Sequence, residues 1–232
     1  MCTRFVSNGR NKITGFNFDI DLSDWTHKIV KKKDCFSIGI KMPDNQYHSF
    51  HGVNKNGNVG TLLYVHGNEN AQYCDSISCY TIADLTENFV NGKLIFDDAL
   101  EIVKNKKIIY APNATMQSML SDKNGRVLIV EPGIGYKLEK ERYSLITNYS
   151  ILAPETTRPY ILLDDDRYEV ADTMLGKYGD DLSVSDAFSI LKNVRMEGLW
   201  ATRVSFVYSQ VENKVYYTLN SDFENIQEYS FV

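Results

Sequence analysis

Residues 1–20 read MCTRFVSNGRNKITGFNFDI and contain two strand-like runs on either side of a polar turn. Asn8-Gly9 in that turn is a strong signal for a β-hairpin. We therefore expect the second run to return towards the chain start and to lie beside Cys2. If Met1 is removed, Cys2 carries a thiol and a free α-amine, which is a nucleophile with its own base. A small apolar residue packed in a strand is the alternative interpretation of Cys2.

The composition is that of an ordinary globular protein, with 43% hydrophobic and 24% charged residues in a chain of 232. The net charge of -5 argues against a nucleic-acid partner, which requires a basic surface. There is no early apolar segment of a secretory signal and no run near the roughly 18 apolar residues of a membrane span. These features predict a cytoplasmic protein without a membrane partner. The chain shows no repeat or linker, so we expect a single domain over residues 1–232.

The cysteines and histidines do not form a recognisable metal motif. The four cysteines, Cys2, Cys35, Cys74 and Cys79, lack the paired spacing of zinc sites. His48 and His51, in YHSFHG, are explained equally well as alternating polar residues at a strand end. We therefore expect no metal and no cofactor. A metal-dependent hydrolase built on His48, His51 and Cys74 is an alternative with an incomplete ligand set.

The rest of the chain alternates blocks of strands with pairs of helices. Strands are expected at 35–41, 59–66, 116–122, 126–132, 134–140, 142–148, 202–209 and 215–220, and helices at 81–90, 96–105, 165–179 and 183–194. Thr81 and Ser183 are the expected N-caps, with Asp186 at the capping-box position. The basic run KIVKKKD, 28–34, is interpreted as a solvated loop. Strands in blocks and helices in pairs predict an α+β fold, a four-layer αββα sandwich of two antiparallel sheets flanked by helices.

A mature N-terminal cysteine is suited to cleaving an amide. The unperturbed pKa values of its thiol and α-amine both lie near neutrality, so the amine can take the thiol proton and return it to the leaving group. Such a site also needs a carboxylate to orient the amine and two donors for the tetrahedral oxyanion.

Several segments, in order, resemble the choloylglycine hydrolases, a family that includes bile salt hydrolases, penicillin V acylases and acyl-CoA:6-aminopenicillanate acyltransferase-like proteins. The opening of the family is similar to MCTRFV followed by GFNFD. Its G-x-N-x-x-G stretch is similar to FHGVNKNGNVGTLLY (50–64), and its S-D-x-x-G-x-x-x-V-E segment is similar to MLSDKNGRVLIVEP (119–132). Later family segments are similar to LITN (145–148), DDRYEV (165–170) and TRVSFVYS (202–209). The resemblance implies an N-terminal-nucleophile (Ntn) hydrolase fold and cleavage of a linear amide in a small N-acyl substrate.

The resemblance also implies roles for individual residues. Cys2 would be the nucleophile and Asp19 the partner of its amine. The Asn148 side chain and the Tyr64 backbone N–H would stabilise the oxyanion, and Arg167 would balance charge beside the thiol. Asp19, Asn148 and Arg167 also have ordinary interpretations as a strand-end residue, a turn residue and a surface ion-pair partner.

The chain departs from the family pattern at Phe16, where an arginine is usual. Arg4 shares a strand face with Cys2 and could supply electrostatic support in its place. Phe16, Phe18 and Tyr149 could line a substrate pocket, although core packing is the ordinary role of an aromatic residue. The long insertion of bile salt hydrolases before the arginine helix is missing, so bile-salt specificity and formation of a homo-oligomer are left open.

Two other functions remain open on the same scaffold. An acyltransferase would pass the acyl group from Cys2 to an amine instead of water. A catalytically silent small-molecule-binding protein is suggested by Phe16, and retention of Met1 would favour it, because a blocked amine cannot act as a base.

Overall fold

The computed structural model describes residues 1–112 and 114–231. Its strands are β1 (Cys2–Asn8), β2 (Lys12–Asp19), β3 (His27–Lys32), β4 (Cys35–Lys41), β5 (Tyr47–Asn54), β6 (Val59–Tyr64), β7 (Cys79–Thr81), β8 (Lys107–Ile109), β9 (Met116–Ser121), β10 (Val127–Glu131), β11 (Gly135–Glu139), β12 (Tyr143–Ile146), β13 (Thr202–Ser209), β14 (Lys214–Leu219) and β15 (Gln227–Ser230). Its α-helices are α1 (Ile82–Val90), α2 (Phe96–Asn105), α3 (Pro154–Thr157), α4 (Arg167–Tyr178) and α5 (Val184–Asn193). Single 3₁₀ turns lie at Glu69–Ala71, Arg158–Tyr160 and Gly198–Trp200.

The hairpin predicted at the chain start is present. β1 and β2 pair antiparallel with Cys2 opposite Phe18, so the second strand does return to the nucleophile candidate. Gly15 makes this pairing possible, because a Cβ at that position would lie 2.1 Å from the Phe5 ring. β1 is buried on both faces, since Cys2 and Val6 pack between the sheets while Phe5 packs under the helices.

Two large antiparallel sheets form the middle of the molecule. The first has the strand order β12-β1-β2-β13-β14-β15, and the second has the order β11-β10-β9-β6-β5-β4-β3. Aromatic side chains join them across the core, as where the Phe36 and Phe206 rings lie 6.1 Å apart. α4 and α5 cover the outer face of the first sheet, and α1, with α2 beside it, covers the second. The predicted four-layer α+β sandwich is confirmed.

The predicted helices and their caps are confirmed. The Thr81 hydroxyl accepts a hydrogen bond from the Asp84 N–H at 3.0 Å. Ser183 and Asp186 form the reciprocal capping box, with distances of 3.1 and 3.0 Å. Within the described ranges, no helix has both the length and the apolar character that crossing a membrane requires.

The sequence interpretation missed strands that carry polar residues. The basic run expected as a loop forms most of β3, the edge strand of the second sheet, so that expectation was wrong. Lysines on an edge strand are physically reasonable, since charge there discourages pairing with another chain. For β5, the sequence pattern places His48 and His51 at a strand end but predicts no strand there, because two histidines, a serine and a glycine interrupt its apolar pattern; β5 lies between β4 and β6.

Candidate active site

Cys2 lies at the start of β1, on the face that looks towards the second sheet, and is 5% exposed. Its backbone N–H donates to Asn148 Oδ1 at 2.7 Å. The pairing of β1 with β12 explains this contact: Arg4 lies opposite Ile146, and the same register carried two residues further brings Asn148 opposite Cys2. The backbone of Cys2 is therefore fixed in position by strand pairing and by Asn148.

Asn148 is fully buried and links three parts of the site. Its Oδ1 also accepts a hydrogen bond from Arg167 Nη2 at 3.0 Å. With two donors directed at Oδ1, the amide nitrogen must face the other way, and it donates to the Tyr64 carbonyl oxygen at 2.8 Å. An amide nitrogen carries two hydrogens, so Nδ2 retains a second N–H beyond the one that binds Tyr64.

The Tyr64 N–H is positioned by the pairing of β6 with β9. The Val65 N–H donates to the Thr115 carbonyl oxygen, which makes those two residues a hydrogen-bonded pair. Because such pairs alternate in antiparallel sheets, the neighbouring Tyr64 N–H is directed away from β9. It is available on the same side as Asn148, whose Nδ2 binds the carbonyl of the same residue.

Arg167 begins α4 and holds two aspartates. Its Nη1 donates to Asp19 Oδ2 at 3.2 Å and to the Cys2 carbonyl oxygen at 3.3 Å. Asp165 receives two hydrogen bonds from the same guanidinium, at 2.7 and 2.8 Å. Asp19 is held on its other oxygen by the Thr202 hydroxyl at 2.6 Å, across the β2–β13 pairing.

The buried charges differ in their titration. Burial raises the pKa of the Asp19 carboxyl to about 6, although Arg167 and the N-terminal ammonium act in the opposite direction. Burial also opposes ionisation of Asp165, but the hydrogen bonds from Arg167 lower its pKa below the ordinary value. Burial raises the pKa of the Cys2 thiol to about 11, while the N-terminal ammonium lowers it and Arg167 does so to a smaller extent. The Cys2 side chain is therefore a neutral thiol at neutral pH.

Met1 occupies the space in front of this network. Its ammonium donates to the Asp19 carbonyl oxygen at 2.8 Å, and its carbonyl oxygen accepts from the Asp19 N–H at 3.0 Å. Its sulfur lies 3.7 Å from Arg167 Nη2. Met1 thus lies between the cavity, which it lines, and the Arg167 guanidinium.

A cavity of about 500 Å³ adjoins Cys2 between the two sheets. Its described lining is mostly apolar and consists of Met1, Cys2, Phe18, Asp19, Ile20, Trp25, Ile40, Met42, Phe50, His51, Leu62, Tyr64, Ile82, Ala83, Ala111, Ala114, Thr115, Met116 and Trp200. Cavities of this size hold small organic molecules. A carbonyl placed at Cys2 could therefore direct an apolar acyl group into it.

The structure brings most of the predicted site residues together. Cys2, Asp19, Asn148 and Arg167 are joined by direct hydrogen bonds, and the Tyr64 carbonyl is bound to Asn148.

The aromatic pocket candidates are divided between the cavity and the core. Phe18 is in the cavity wall. Phe16 is fully buried one layer behind it, against His51 and Phe206, and Tyr149 packs on Tyr168. Neither Phe16 nor Tyr149 is among the described lining residues.

Arg4 is fully buried on the same face as Cys2, but it points to the second sheet. Its guanidinium donates to the Ser121 hydroxyl at 2.9 Å and to the Phe5 carbonyl oxygen at 3.1 Å. Burial lowers the pKa of Arg4 to about 9, with no acidic side chain within ion-pair distance in the described residues. Its effect on the thiol remains a prediction.

Sequence reasoning missed three residues that shape the site. Asp165 opens the segment DDRYEV, in which the resemblance assigns a role only to Arg167, and Thr202 opens a predicted strand to which no site role is given. His51 was set aside as a strand-end residue, yet it lines the cavity, whereas His48 is bound to Asp44 and Glu87 at 2.8 and 2.9 Å. The only signal for His51 in the sequence is Phe16, which stands where the choloylglycine hydrolases usually have an arginine. The Phe16 ring stacks on the His51 ring.

Comparison with known proteins supports the fold. No family model and no curated protein sequence matches the chain. Among solved structures, the chain is similar to conjugated bile acid hydrolase from Clostridium perfringens, with a TM-score of 0.69 and 15% identity over 99% of this chain and 92% of that one. It is also similar to penicillin V acylase from Agrobacterium tumefaciens, with a TM-score of 0.66 and 16% identity over 98% and 90%.

A third similar structure is the Caenorhabditis elegans ortholog of N-acylethanolamine-hydrolyzing acid amidase, with a TM-score of 0.56 and 15% identity over 90% of this chain and 93% of that one. The chain therefore has the Ntn-hydrolase fold, and its resemblance to the choloylglycine hydrolases is confirmed at the level of the fold.

Proposed function

We propose that this protein is an N-terminal-cysteine amidohydrolase that cleaves the linear amide of a small N-acyl substrate through a thioester on Cys2. The observation that carries the proposal is the convergence of Cys2, Asn148, Arg167 and Asp19 beside a largely apolar cavity. The names of the similar structures, a bile acid hydrolase, a penicillin V acylase and an acid amidase, support the same reaction type.

Removal of Met1 is the first requirement of this mechanism. It converts the Cys2 backbone nitrogen into an amine that keeps Asn148 Oδ1 as a hydrogen-bond acceptor. It also removes the residue that now lies between the cavity and Arg167. The negative charge of Asp19 favours the protonated amine that forms when the thiol proton is transferred.

The reaction then follows from the positions of the donors. The Cys2 sulfur attacks the substrate carbonyl carbon while the α-amine takes the thiol proton. The Asn148 side-chain N–H and the Tyr64 backbone N–H stabilise the oxyanion. The C–N bond breaks as the α-amine returns its proton to the leaving amine. Water then attacks the thioester, which releases the acid and restores the thiol.

Arg167 has an electrostatic role in the proposal. It faces Asp19 and Asp165, so two buried carboxylates share one guanidinium. A protonated α-amine formed during attack would balance the second negative charge. This arrangement favours proton transfer from the thiol to the amine, because the resulting cation enters a site with an excess of one negative charge.

The test begins with intact-protein mass spectrometry of the purified chain, which we expect to show loss of Met1. The processed protein is then assayed against penicillin V, conjugated bile acids, N-acyl amino acids and N-acylethanolamines, with Cys2→Ala as the control. Turnover of one class, with an acyl adduct on the Cys2 peptide, is the expected result. Retained Met1, or turnover that survives Cys2→Ala, would contradict the proposal.

The same assay separates hydrolysis from acyl transfer. An added primary amine should not change the yield of free acid if water captures the thioester. Conversion of the acid product into a new amide, at the same rate of substrate loss, would identify the acyltransferase instead.

A further inference from the structure

His51 is a buried polar side chain in the wall of the acyl cavity. It lies on β5, is 3% exposed and lines the cavity together with Phe18. Its ring stacks on Phe16 at 5.2 Å between centroids and lies 5.0 Å from the Phe18 ring. These contacts fix the plane of the imidazole ring. The hydrogen bonds of its two nitrogens depend on other groups.

The contact of His51 with β6 determines which nitrogen carries the proton. The β5–β6 pairing includes Gly52 opposite Gly60, and beyond it the Leu62 N–H donates to His51 Nδ1 at 3.1 Å. A ring nitrogen that accepts a hydrogen bond from a backbone N–H is unprotonated, so the proton of the neutral ring is on Nε2. Burial lowers the pKa of His51 to about 3, which keeps the ring neutral at physiological pH.

The Nε2–H group has no hydrogen-bond partner among the described residues. The Thr115 hydroxyl, another polar group of the lining, donates to the Val65 carbonyl oxygen at 2.7 Å and makes no hydrogen bond with His51. A donor left without an acceptor in an apolar site lowers stability by about 1–3 kcal/mol. The His51 Nε2–H is therefore a fixed donor that a molecule entering the cavity can meet.

We infer that His51 is a specificity-determining residue, whose Nε2–H donates to an oxygen atom on the acyl group of the substrate. The inference rests on the proposed function, since it assumes that the acyl group occupies this cavity. The class of substrate is a linear acyl chain that is apolar apart from one ether, keto or hydroxyl oxygen near the scissile carbonyl.

The position of that oxygen follows from strand pairing. Phe18 is directly opposite Cys2, and side chains opposite each other on one sheet face are neighbours. The His51 ring contacts Phe18, so the donor lies about two side chains from the nucleophile. An oxygen at position 3 or 4 of the acyl chain is the expected acceptor.

The same geometry argues against His51 as a proton carrier. Its Nδ1 is occupied by the Leu62 N–H, and protonating that nitrogen would break the contact where β5 and β6 separate. His51 therefore acts as a donor whose tautomer is fixed by the sheet.

The experiment measures binding, so that it does not depend on turnover. Octanoylglycine and its 3-oxa and 4-oxa analogues, which replace one methylene by an ether oxygen, are titrated calorimetrically into Cys2→Ala protein from which Met1 has been removed. Failure of the proposed function would appear as lack of turnover in the wild type. This inference fails only if a preference for an oxa analogue over octanoylglycine does not depend on His51.

Two matched variants separate the donor from the fold. In His51→Asn the amide oxygen can still accept from the Leu62 N–H, but the donor at the Nε2 position is lost. In His51→Gln the amide nitrogen lies near the Nε2 position. We expect the Kd ratio of octanoylglycine to the favoured oxa analogue to fall about two- to tenfold in His51→Asn and to recover in His51→Gln. An unchanged ratio in His51→Asn, or equal loss in both variants, would overturn the inference.

A measurement without substitution at His51 gives an independent test. Imidazole ¹⁵N NMR of the Cys2→Ala protein should show an unprotonated Nδ1 and a protonated Nε2 at pH 7. The Nε2 proton resonance should move on adding the favoured oxa analogue and stay in place on adding octanoylglycine. The opposite tautomer, or equal shifts with both ligands, would refute the assignment.

Discussion

On one side of Cys2, the polar half of the site consists of Asn148, Arg167, Asp19 and Asp165 bound to one another at 2.7–3.2 Å. On the other side, the apolar half is the cavity, where the buried donor of His51 has no partner among the described residues. In the polar half each side chain is held by at least two contacts, so a substitution disturbs its neighbours. In the apolar half a substitution changes what can bind and leaves the reacting groups in place. The two halves should therefore respond to mutation in different kinetic parameters.

The largest effect is expected at the point where the halves meet. Cys2→Ala removes the sulfur that is proposed to form the thioester, so turnover should be abolished while binding in the cavity is kept. Circular dichroism and ligand titration provide the check on folding and binding. Residual activity at the wild-type rate would show that another group performs the reaction.

Asn148→Ala tests the polar half by itself. Loss of one oxyanion donor typically lowers kcat by about 10²–10³, equivalent to roughly 3–4 kcal/mol. KM should change little, because the proposed function places the acyl group in the cavity and not on Asn148. A change confined to KM would instead identify Asn148 as a substrate contact or a turn residue. His51→Asn is the matched control from the apolar half, where KM should change and kcat should not.

Asp19 and Asp165 both bind Arg167, but replacing each by asparagine should change the free energy of unfolding at pH 8 in opposite directions. The folded-state pKa of Asp19 is raised to about 6, so its contribution to stability is present below pH 4 and is lost as the pH rises towards 6. Asp19→Asn should therefore be more stable than the wild type at pH 8, by up to about 3 kcal/mol at 1.36 kcal/mol per pKa unit.

Asp165→Asn should show the reverse. Its pKa is lowered by Arg167, so its contribution is present at neutral pH and is lost as the pH falls below its ordinary pKa. Removing it should lower stability at pH 8 by about 1–3 kcal/mol. Urea denaturation of both variants at pH 4 and pH 8 measures the difference. Changes of the same sign at pH 8 would show that the two carboxylates are held alike.

The polar half was more accessible to sequence reasoning than the apolar half. Cys2, Asp19 and Asn148 lie in short motifs whose order resembles a family, and strand register alone brings them together. The role of His51 depends on the register of β5 against β6, in a strand that the sequence pattern did not reveal. Its tautomer depends on a single backbone contact, which no motif encodes. Pocket residues such as Trp25 and Trp200 lie outside the strands and α-helices, where spacing in the sequence carries no information about distance.

The smallest expected effect is that of Arg4, on β1, on the pKa of the Cys2 thiol. Arg167 donates to the Cys2 carbonyl and contributes to lowering the thiol pKa, whereas the Arg4 guanidinium is bound to Ser121 and to the Phe5 carbonyl. A nearby cation stabilises the thiolate, so Arg167→Met should move alkylation of Cys2 to higher pH. Arg4→Met should move it less.

The measurement is the rate of iodoacetamide labelling of the Cys2 peptide between pH 6 and pH 10, followed by mass spectrometry, in the wild type and both variants. An equal shift in the two variants would place Arg4 in the polar half despite its contacts with the second sheet. Superimposable profiles in all three proteins would remove both arginines from thiol activation. The α-amine, with Asp19 beside it, would then have to accept the thiol proton unaided, and the role of Arg167 would be to hold Asp19 and Asn148 in place.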